Sequence, residues 1–361
     1  SVTADGKANA VVFWYELPMG EAGVLSTAPS VALPAGAAHA RLGQALQFLP
    51  PRAVAAGDAL RLEARHNKTR ISFFLPGVAE PPRRGLVLHS QLRYSQDAHF
   101  NRTYAAALRK ALFRLKPSEP ALVLHVCSGF GTQSIVAAQA RPQVADFVVA
   151  CEKSATLIDV AERAARDNSV GERICFLQKD CRNLRAHEDL PHKADILVLE
   201  CIDTSLLGEG ILHYLQHLRG AFTQAHATLI PAAAVIKGML VEMRSGDVHG
   251  VDMTMSDAYR WNKEVIPTQL KEGEYTQLSD VFDMFVFDFA SAVVEQQVEH
   301  LEVVISKDGI VSALVFWFDL ILDEEIVIST SPFVPEEQRL ELGQGLVYLQ
   351  PAEVRVTRGA T

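Results

Sequence analysis

The sequence predicts an α/β domain joined to antiparallel β-structure, and three observations carry that expectation. A buried-type strand, a glycine turn and a helix follow one another through ALVLHVCSGFGTQSIVAAQA at residues 121–140. Strand and helix signals then alternate to about Leu218, the pattern of βαβ units. Outside this region, TADGKANAVVFWYEL (3–17) reappears as SKDGIVSALVFWFDL (306–320), an offset of 303 residues, and both copies have the alternating apolar, β-branched and aromatic content of sheet hairpins.

The repeat continues in order. LSTAPS (25–30) matches ISTSPF (328–333), and RLGQALQFLPPRAV (41–54) matches LELGQGLVYLQPAEV (340–354). A period this long is too large for a solenoid and fits a whole module used twice. The first copy runs on through GDALRLEARHNKTRISFFL (57–75), whereas the second meets Thr361 before any counterpart. The chain therefore reads as the tail of one module followed by nearly all of a second. PPRR at 81–84, between Gly77 and Gly85, is the expected linker. Beyond it, NRTYAAALRKALFRL (101–115) has Ala-rich helical composition, with Tyr104, Leu108 and Leu112 at helical spacing.

Composition narrows the function classes. With 361 residues, 48% apolar and 21% charged content, two folded domains are the default, and the longest apolar runs are strand-length, too short to span a bilayer. The net charge of -9 disfavours a nucleic-acid backbone as ligand and is compatible with a cationic partner. Cys127, Cys151, Cys175, Cys181 and Cys201 lack CxxC or Cys/His ligand spacing, which argues for reduced thiols in a cytoplasmic or nuclear protein and against a disulfide framework or zinc site.

Gly129 and Gly131 allow close backbone approach, and the helix that follows offers free N–H groups. The next strand, DFVVACEKS (146–154), ends in Glu152, where an acid can accept both hydroxyls of a ribose. A dinucleotide site wants a third small residue after the turn, but here the run is Gly129, Phe130, Gly131, Thr132, Gln133, Ser134. S-adenosylmethionine has no phosphate and needs only the turn and the acid, so methyl transfer is favoured over the hydride transfer of a dehydrogenase. LECIDTSLLGEG (199–210) adds Glu200 and Glu209 on one apolar loop with no Lys, Arg or His between them. Solvated surface acids are the ordinary alternative for such a loop.

Together the glycine turn, ACEKS, KADILVLECIDTSLLGEG (193–210) and FWFDLILDEEIVISTSP (316–332) resemble the protein arginine methyltransferases, especially members with two modules in one polypeptide. The resemblance covers about residue 89 onward. It implies a seven-strand-type Rossmann-like domain followed by an antiparallel β-barrel and preceded by the end of another module's barrel. The expected domains are 1–78 (preceding barrel), 79–230 (cofactor-binding α/β domain) and 231–361 (barrel). The segment HGVDMTMSDAYRWNKEV (249–265) is the candidate dimerisation arm, with Met253, Met255, Tyr259 and Trp261 as apolar contacts. By the same resemblance Glu200 and Glu209 are the catalytic acids that hold an arginine guanidinium by charge-assisted hydrogen bonds. Gly129, Gly131, Glu152 and Asp180 or Cys181 contact S-adenosylmethionine, Asp203 braces the loop, and the implied partners are an arginine-containing protein substrate and the preceding module or a second copy.

Several positions depart from the family pattern. His125 and Cys127 stand where an acid and an additional glycine are usual, and a strand-end or satisfied core histidine is the expected state of His125. Phe100 aligns with an arginine that grips the cofactor's carboxylate, with Arg93 and Arg102 nearby as substitutes, and Leu340, Glu341 and Leu342 stand for a Thr-His-Trp pocket loop. No tyrosine-rich closing helix is evident between Pro81 and Ser95. A weak or degenerate second module and a catalytically silent scaffold both fit these substitutions.

Overall fold

Residues 2–29, 32, 38–39, 43–67, 71–78, 92, 95–248, 250–260, 265–271, 273–291, 296–349 and 353–360 are described by a computed structural model. One unit spans Ser1–Arg84 and another Gly85–Thr361. The expected linker at 81–84 and the stretch searched for a closing helix lie outside the described residues, apart from Leu92 and Ser95.

Among the described residues the first unit is built of strands with one 3-10 turn at Gly20–Ala22. β1 (Gly6–Phe13) pairs antiparallel with β5 (Ala45–Val54), β2 (Glu16–Pro18) and β3 (Val24–Ser26) pair antiparallel, and β4 (Ala38–His39) joins β3. A hairpin of β6 (Glu63–His66) and β7 (Ile71–Phe74) completes it.

The second unit opens with α1 (Ala98–Arg114). The Asp97 side chain caps it by accepting from Phe100 N at 2.9 Å, and Phe100, Tyr104, Leu108 and Leu112 form its buried stripe. It stops before Pro117, which disfavours helix in the residue preceding it. A five-stranded parallel sheet follows, β8 (Leu122–Val126), β9 (Phe147–Glu152), β10 (Ile174–Gln178), β11 (Ala194–Leu199) and β12 (Thr223–Ile230), in the order β10-β9-β8-β11-β12. Helices α2 (Thr132–Ala140), α3 (Ala155–Asp167) and α4 (Ile211–Leu218) connect it. β8 is buried at every position, as a central parallel strand covered on both faces must be. The chain turns outward from β8 to β9 and β10, then crosses to β11 on the other side, so the order reverses between β8 and β11.

The class is the expected Rossmann-like one, with five parallel strands among the described residues where the seven-strand type has seven. After β12 the chain passes through Pro231 straight into β13 (Ala233–Glu242) and does not return to the parallel sheet. β13 is the hub of a barrel-like antiparallel sheet of order β16-β22-β20-β13-β17, with β18 also on β13 and β21 on β20. These strands are β16 (Ile266–Thr268), β17 (Thr276–Gln277), β18 (Phe282–Asp288), β20 (Ala313–Ile321), β21 (Val327–Ser329) and β22 (Gln344–Tyr348). β19 (Gly309–Val311) pairs with β23 (Val354–Val356). Between β13 and β16, β14 (Asp247–Val248), β15 (Val251–Asp252) and a short turn at Thr254–Tyr259 form the candidate arm. Met255 and Tyr259 are 75% and 85% exposed on it, and Trp261 lies outside the described residues.

The repeated sequences fold alike down to single hydrogen bonds. Ala10 opposes Phe48 and Phe13 opposes Ala45, while in the second copy Ala313 opposes Tyr348 and Phe316 opposes Gly345. Tyr15 N donates to Thr27 Oγ1 at 3.1 Å and Phe318 N to Thr330 Oγ1 at 3.0 Å. Gln44 Nε2 reaches Thr27 O as Gln344 Nε2 reaches Thr330 O. Asp5 and Asp308 each accept from a backbone N–H, of Ala56 and of Arg358.

The copies differ in cover. β20 has β13 on one edge and β22 on the other, whereas β1 pairs only with β5 among the described residues. Trp317 is accordingly 2% exposed and its counterpart Trp14 39%. Thr330→Val keeps the shape of a buried side chain and orphans the Phe318 N–H, which should cost about 1–3 kcal/mol of unfolding free energy in urea titration. Thr27→Val should cost less, because water reaches the half-exposed Tyr15.

Candidate functional site

A cavity of about 530 Å³ opens where the sheet order reverses, at the C-terminal ends of the parallel strands. Its lining draws on the glycine turn (Cys127, Ser128, Gly129), the end of β9 (Glu152), the Asp180–Cys181 turn, the loop carrying Glu200 and Glu209, and the barrel residues Glu341 and Leu342. The two glutamates therefore share one cavity with the glycine turn. Gly131 is not in the lining. It caps α2 at φ +75°, and a Cβ there would sit 3.0 Å from that of Ala161, so its role is helix packing.

Each acid is held differently. Glu152 is 7% exposed and accepts from Gly129 N at 3.1 Å and Ser154 N at 2.8 Å, so the glycine turn and the next helix start fix its carboxylate together. Asp180 accepts from Arg182 N and pairs with the Arg182 guanidinium at 2.6 Å, which lowers its carboxyl pKa to about 2. Cys181 is buried beside Cys151, whose thiol is pushed up by that neighbour and by burial and stays protonated. Glu200 follows β11 with only a tenth of its side chain exposed, and its Oε1 has no hydrogen-bond partner among the described residues. Glu209, later on the same loop, is exposed.

The loop between them is built from within. Asp203 Oδ1 accepts from Ser205 N, Ser205 Oγ and Gly208 N, the bracing expected of it, and a Cβ on Gly208 would strike Asp203 Oδ2 at 2.1 Å. Thr204 Oγ1 donates to Leu342 O at 2.7 Å and Glu341 N to Asp97 Oδ2 at 3.1 Å, so the barrel closes one side of the cavity. Phe100 is 1% exposed, lines the cavity and stacks on Tyr104 at 4.5 Å between centroids. Arg102 turns back onto Ala98 O of its own helix, and Arg93 lies outside the described residues.

Two expectations need correction. The thiols are not all free, because Cys127 and Cys201 form a disulfide, with Cα atoms 5.4 Å apart. They are 74 residues apart in sequence and meet because β8 and β11 are neighbours. His125 is neither at a solvent-facing strand end nor satisfied in the core: it is wholly buried, its Nδ1 lies 2.8 Å from Ser134 Oγ, and its Nε2 has no hydrogen-bond partner among the described residues. Glu200 Oε2 is 3.6 Å from that nitrogen. An apolar strand flanking a histidine is the one sequence signal for this contact, and it does not reveal which neighbouring strand the ring faces.

Peptide mapping without reductant should find Cys127 joined to Cys201, with Cys151, Cys175 and Cys181 alkylated as free thiols. Asp180 also sets a pH dependence. Its folded pKa of about 2 lies below the ordinary 3.8, so its contribution is present above pH about 4 and is lost as pH falls toward 2. Asp180→Asn should flatten the acid limb of the stability curve in that window, measured by denaturant midpoints.

No family model matches the chain. It is 27% identical over 268 residues to protein arginine N-methyltransferase 7 of Drosophila yakuba, covering 68% of this chain and 38% of that protein. The rice (Oryza sativa subsp. japonica) protein of the same name is 28% identical over 271 residues, covering 68% and 37%. The chain thus spans under two fifths of the length of these curated relatives. Among solved structures, the Trypanosoma brucei PRMT1 enzyme-prozyme heterotetrameric complex with AdoHcy matches in fold with a TM-score of 0.58 at 19% identity, over 75% of this chain and 84% of that one. The chain is thus similar in sequence to protein arginine N-methyltransferases over 68% of its length and shares the fold of the trypanosomal complex.

Proposed function

We propose that this chain carries a second, weakened methyltransferase module, acting on arginine in proteins, together with the barrel tail of a preceding module. The observation that carries the reading is the shared cavity of Gly129, Glu152, Glu200 and Glu209, in which Glu200 is buried with an unpartnered oxygen. A guanidinium stays protonated at any physiological pH, and a buried carboxylate lacking a donor gains most from such a ligand. Exposed Glu209 provides a second acceptor at the cavity rim.

The nucleoside half of S-adenosylmethionine fits the residues present. Glu152, oriented by two backbone donors, retains acceptor capacity for ribose hydroxyls, buried Ser128 Oγ is unpartnered at the lining, and Asp180 and Cys181 line the adenine side. The amino-acid end fits less well, since Phe100 offers no charge to a carboxylate. When bound, the cofactor supplies an electrophilic methyl group. The chain's own contribution is orientation: Glu200 and Glu209 align the guanidinium and stabilise its charge, while the braced loop limits their motion.

A silent scaffold is the second reading, favoured by Phe100 and by the Cys127–Cys201 bridge at the cavity. In that role the module pairs with its predecessor as an intramolecular pseudo-dimer, and the exposed Met255 and Tyr259 are its contact residues. The tandem arrangement is supported by the matching hydrogen bonds of the two repeats and by the edge of β1 that is unpaired among the described residues, where β20 has β13.

Calorimetry with S-adenosylhomocysteine separates the readings. The missing charged contact at Phe100 should cost about 1.5–3 kcal/mol, roughly ten- to a hundredfold in affinity, leaving weak binding that Glu152→Ala abolishes. Complete absence of binding leaves the scaffold. In a preparation that methylates an arginine peptide, Glu200→Gln should lower the rate about a hundredfold or more while the protein stays folded by circular dichroism. An unchanged rate would assign the activity elsewhere.

A further inference from the structure

β8 and β11 run parallel and adjacent, with Val198 opposite His125, so the histidine and Glu200 just beyond β11 approach each other at the cavity floor. His125 is wholly buried and a tenth of the Glu200 side chain is exposed, Nε2 and Oε2 are 3.6 Å apart, and His125 Nε2 and Glu200 Oε1 each lack a hydrogen-bond partner among the described residues. A buried ring nitrogen without a partner is costly, and the Glu200 Oε2 oxygen is the charged acceptor beside it, while Oε1 stays without a partner among the described residues.

The surroundings leave His125 one charged neighbour. α1 contributes Tyr104, whose hydroxyl donates to Leu199 O at 3.1 Å and is held neutral by burial and by the nearby Glu200 charge. α2 contributes Ser134 at the other ring nitrogen, and β9 places Ala150 opposite His125. Glu152 is occupied by Gly129 N and Ser154 N. Within ion-pair distance of the ring, only Glu200 carries charge among the described residues.

Ser134 decides the tautomer. If its hydroxyl donates to Nδ1, the ring proton sits on Nε2 and faces the carboxylate. If instead Nδ1–H donates to Ser134 Oγ, a bare nitrogen lone pair faces a carboxylate in a buried site, where both acceptors go unsatisfied and repel. The first arrangement turns the Nε2 proton toward the charged Oε2 at 3.6 Å, an electrostatic contact longer than a hydrogen bond, and leaves Oε1 open. We propose that His125 is a positioning residue, its Nε2–H fixed from behind by Ser134 and holding the Glu200 carboxylate at the cavity floor. The contact is the side-chain counterpart of the adjacent Cys127–Cys201 bridge, so the base of the acidic loop is tied to β8 twice. The consequence for arginine capture rests on the proposed function, but the tautomer does not.

Long-range proton–nitrogen correlation spectra of the histidine-labelled protein test it, with His125→Gln assigning the resonance. The expected result is a protonated Nε2 and a bare Nδ1, an Nε2–H signal that moves in Glu200→Gln, and mixed tautomers in Ser134→Ala. A bare Nε2, or a ring signal indifferent to Glu200→Gln, would overturn the proposal. Where arginine-peptide methylation is measurable, His125→Leu should raise the peptide KM roughly ten- to a hundredfold, with kcat less affected, and His125→Gln, which keeps a donor, should recover part of it. A Leu variant with unchanged KM sinks the positioning role. If the parent protein shows no methylation, the arginine reading fails and the spectra still decide the His125–Glu200 contact.

Discussion

The reversal of strand order between β8 and β11 is the constraint on which the candidate site depends. In an open parallel sheet the loops after two such strands part in opposite directions and leave a crevice between them. Here that crevice receives the glycine turn after β8, the Glu200–Glu209 loop after β11 and, one strand away, Glu152 at the end of β9. The strands themselves are apolar and buried on both faces, so they hold position by packing alone. In β8, β9 and β11 polar chemistry lies near the strand ends, and His125 is the polar side chain inside β8.

Inside the crevice the acids divide by how far the fold satisfies them. Glu152 has two backbone donors and Asp180 a guanidinium, so both are oriented in the folded chain. Glu200 is buried with one oxygen unpartnered and a histidine nitrogen 3.6 Å from the other. An unsatisfied buried carboxylate oxygen costs about 1–3 kcal/mol. The loop tolerates it because Asp203, Thr204 and the Cys127–Cys201 bridge hold its backbone from other directions. Stability is thus supplied beside the site and not by it, the arrangement expected where a side chain is kept for a ligand.

Much of this was legible in the sequence, for identifiable reasons. The helix at 98–114 could be read from Tyr104, Leu108 and Leu112, and β8 to β9 from apolar runs ending in a glycine turn and Glu152, because such signals are local. The repeat was legible because it is a comparison of the chain with itself. The disulfide and the burial of His125 were not, since both depend on β11 lying next to β8, a contact across more than 70 residues that no local pattern encodes. Counting cysteines suggested free thiols, and three of the five are free; adjacency of two strand ends overrode the count for the other two.

The two copies of the repeat show which positions the fold itself holds. Tyr15 and Phe318, or Phe48 and Tyr348, are exchanged without loss because they need only fill space on a sheet face. Thr27 and Thr330, Gln44 and Gln344, and Asp5 and Asp308 are identical pairs, each meeting a backbone group that would otherwise be orphaned. The fold thus holds its polar positions through obligations internal to the chain. On the proposed function, Phe100, Glu341 and Leu342 stand where the sequence resemblance expects charges and an aromatic wall, groups that a ligand would need and the backbone would not. On that reading such a cavity can lose its grip on a cofactor with little cost to stability, because the groups that would hold the ligand are not those that hold the backbone; Glu200, nine-tenths buried and 3.6 Å from His125 Nε2, is the exception.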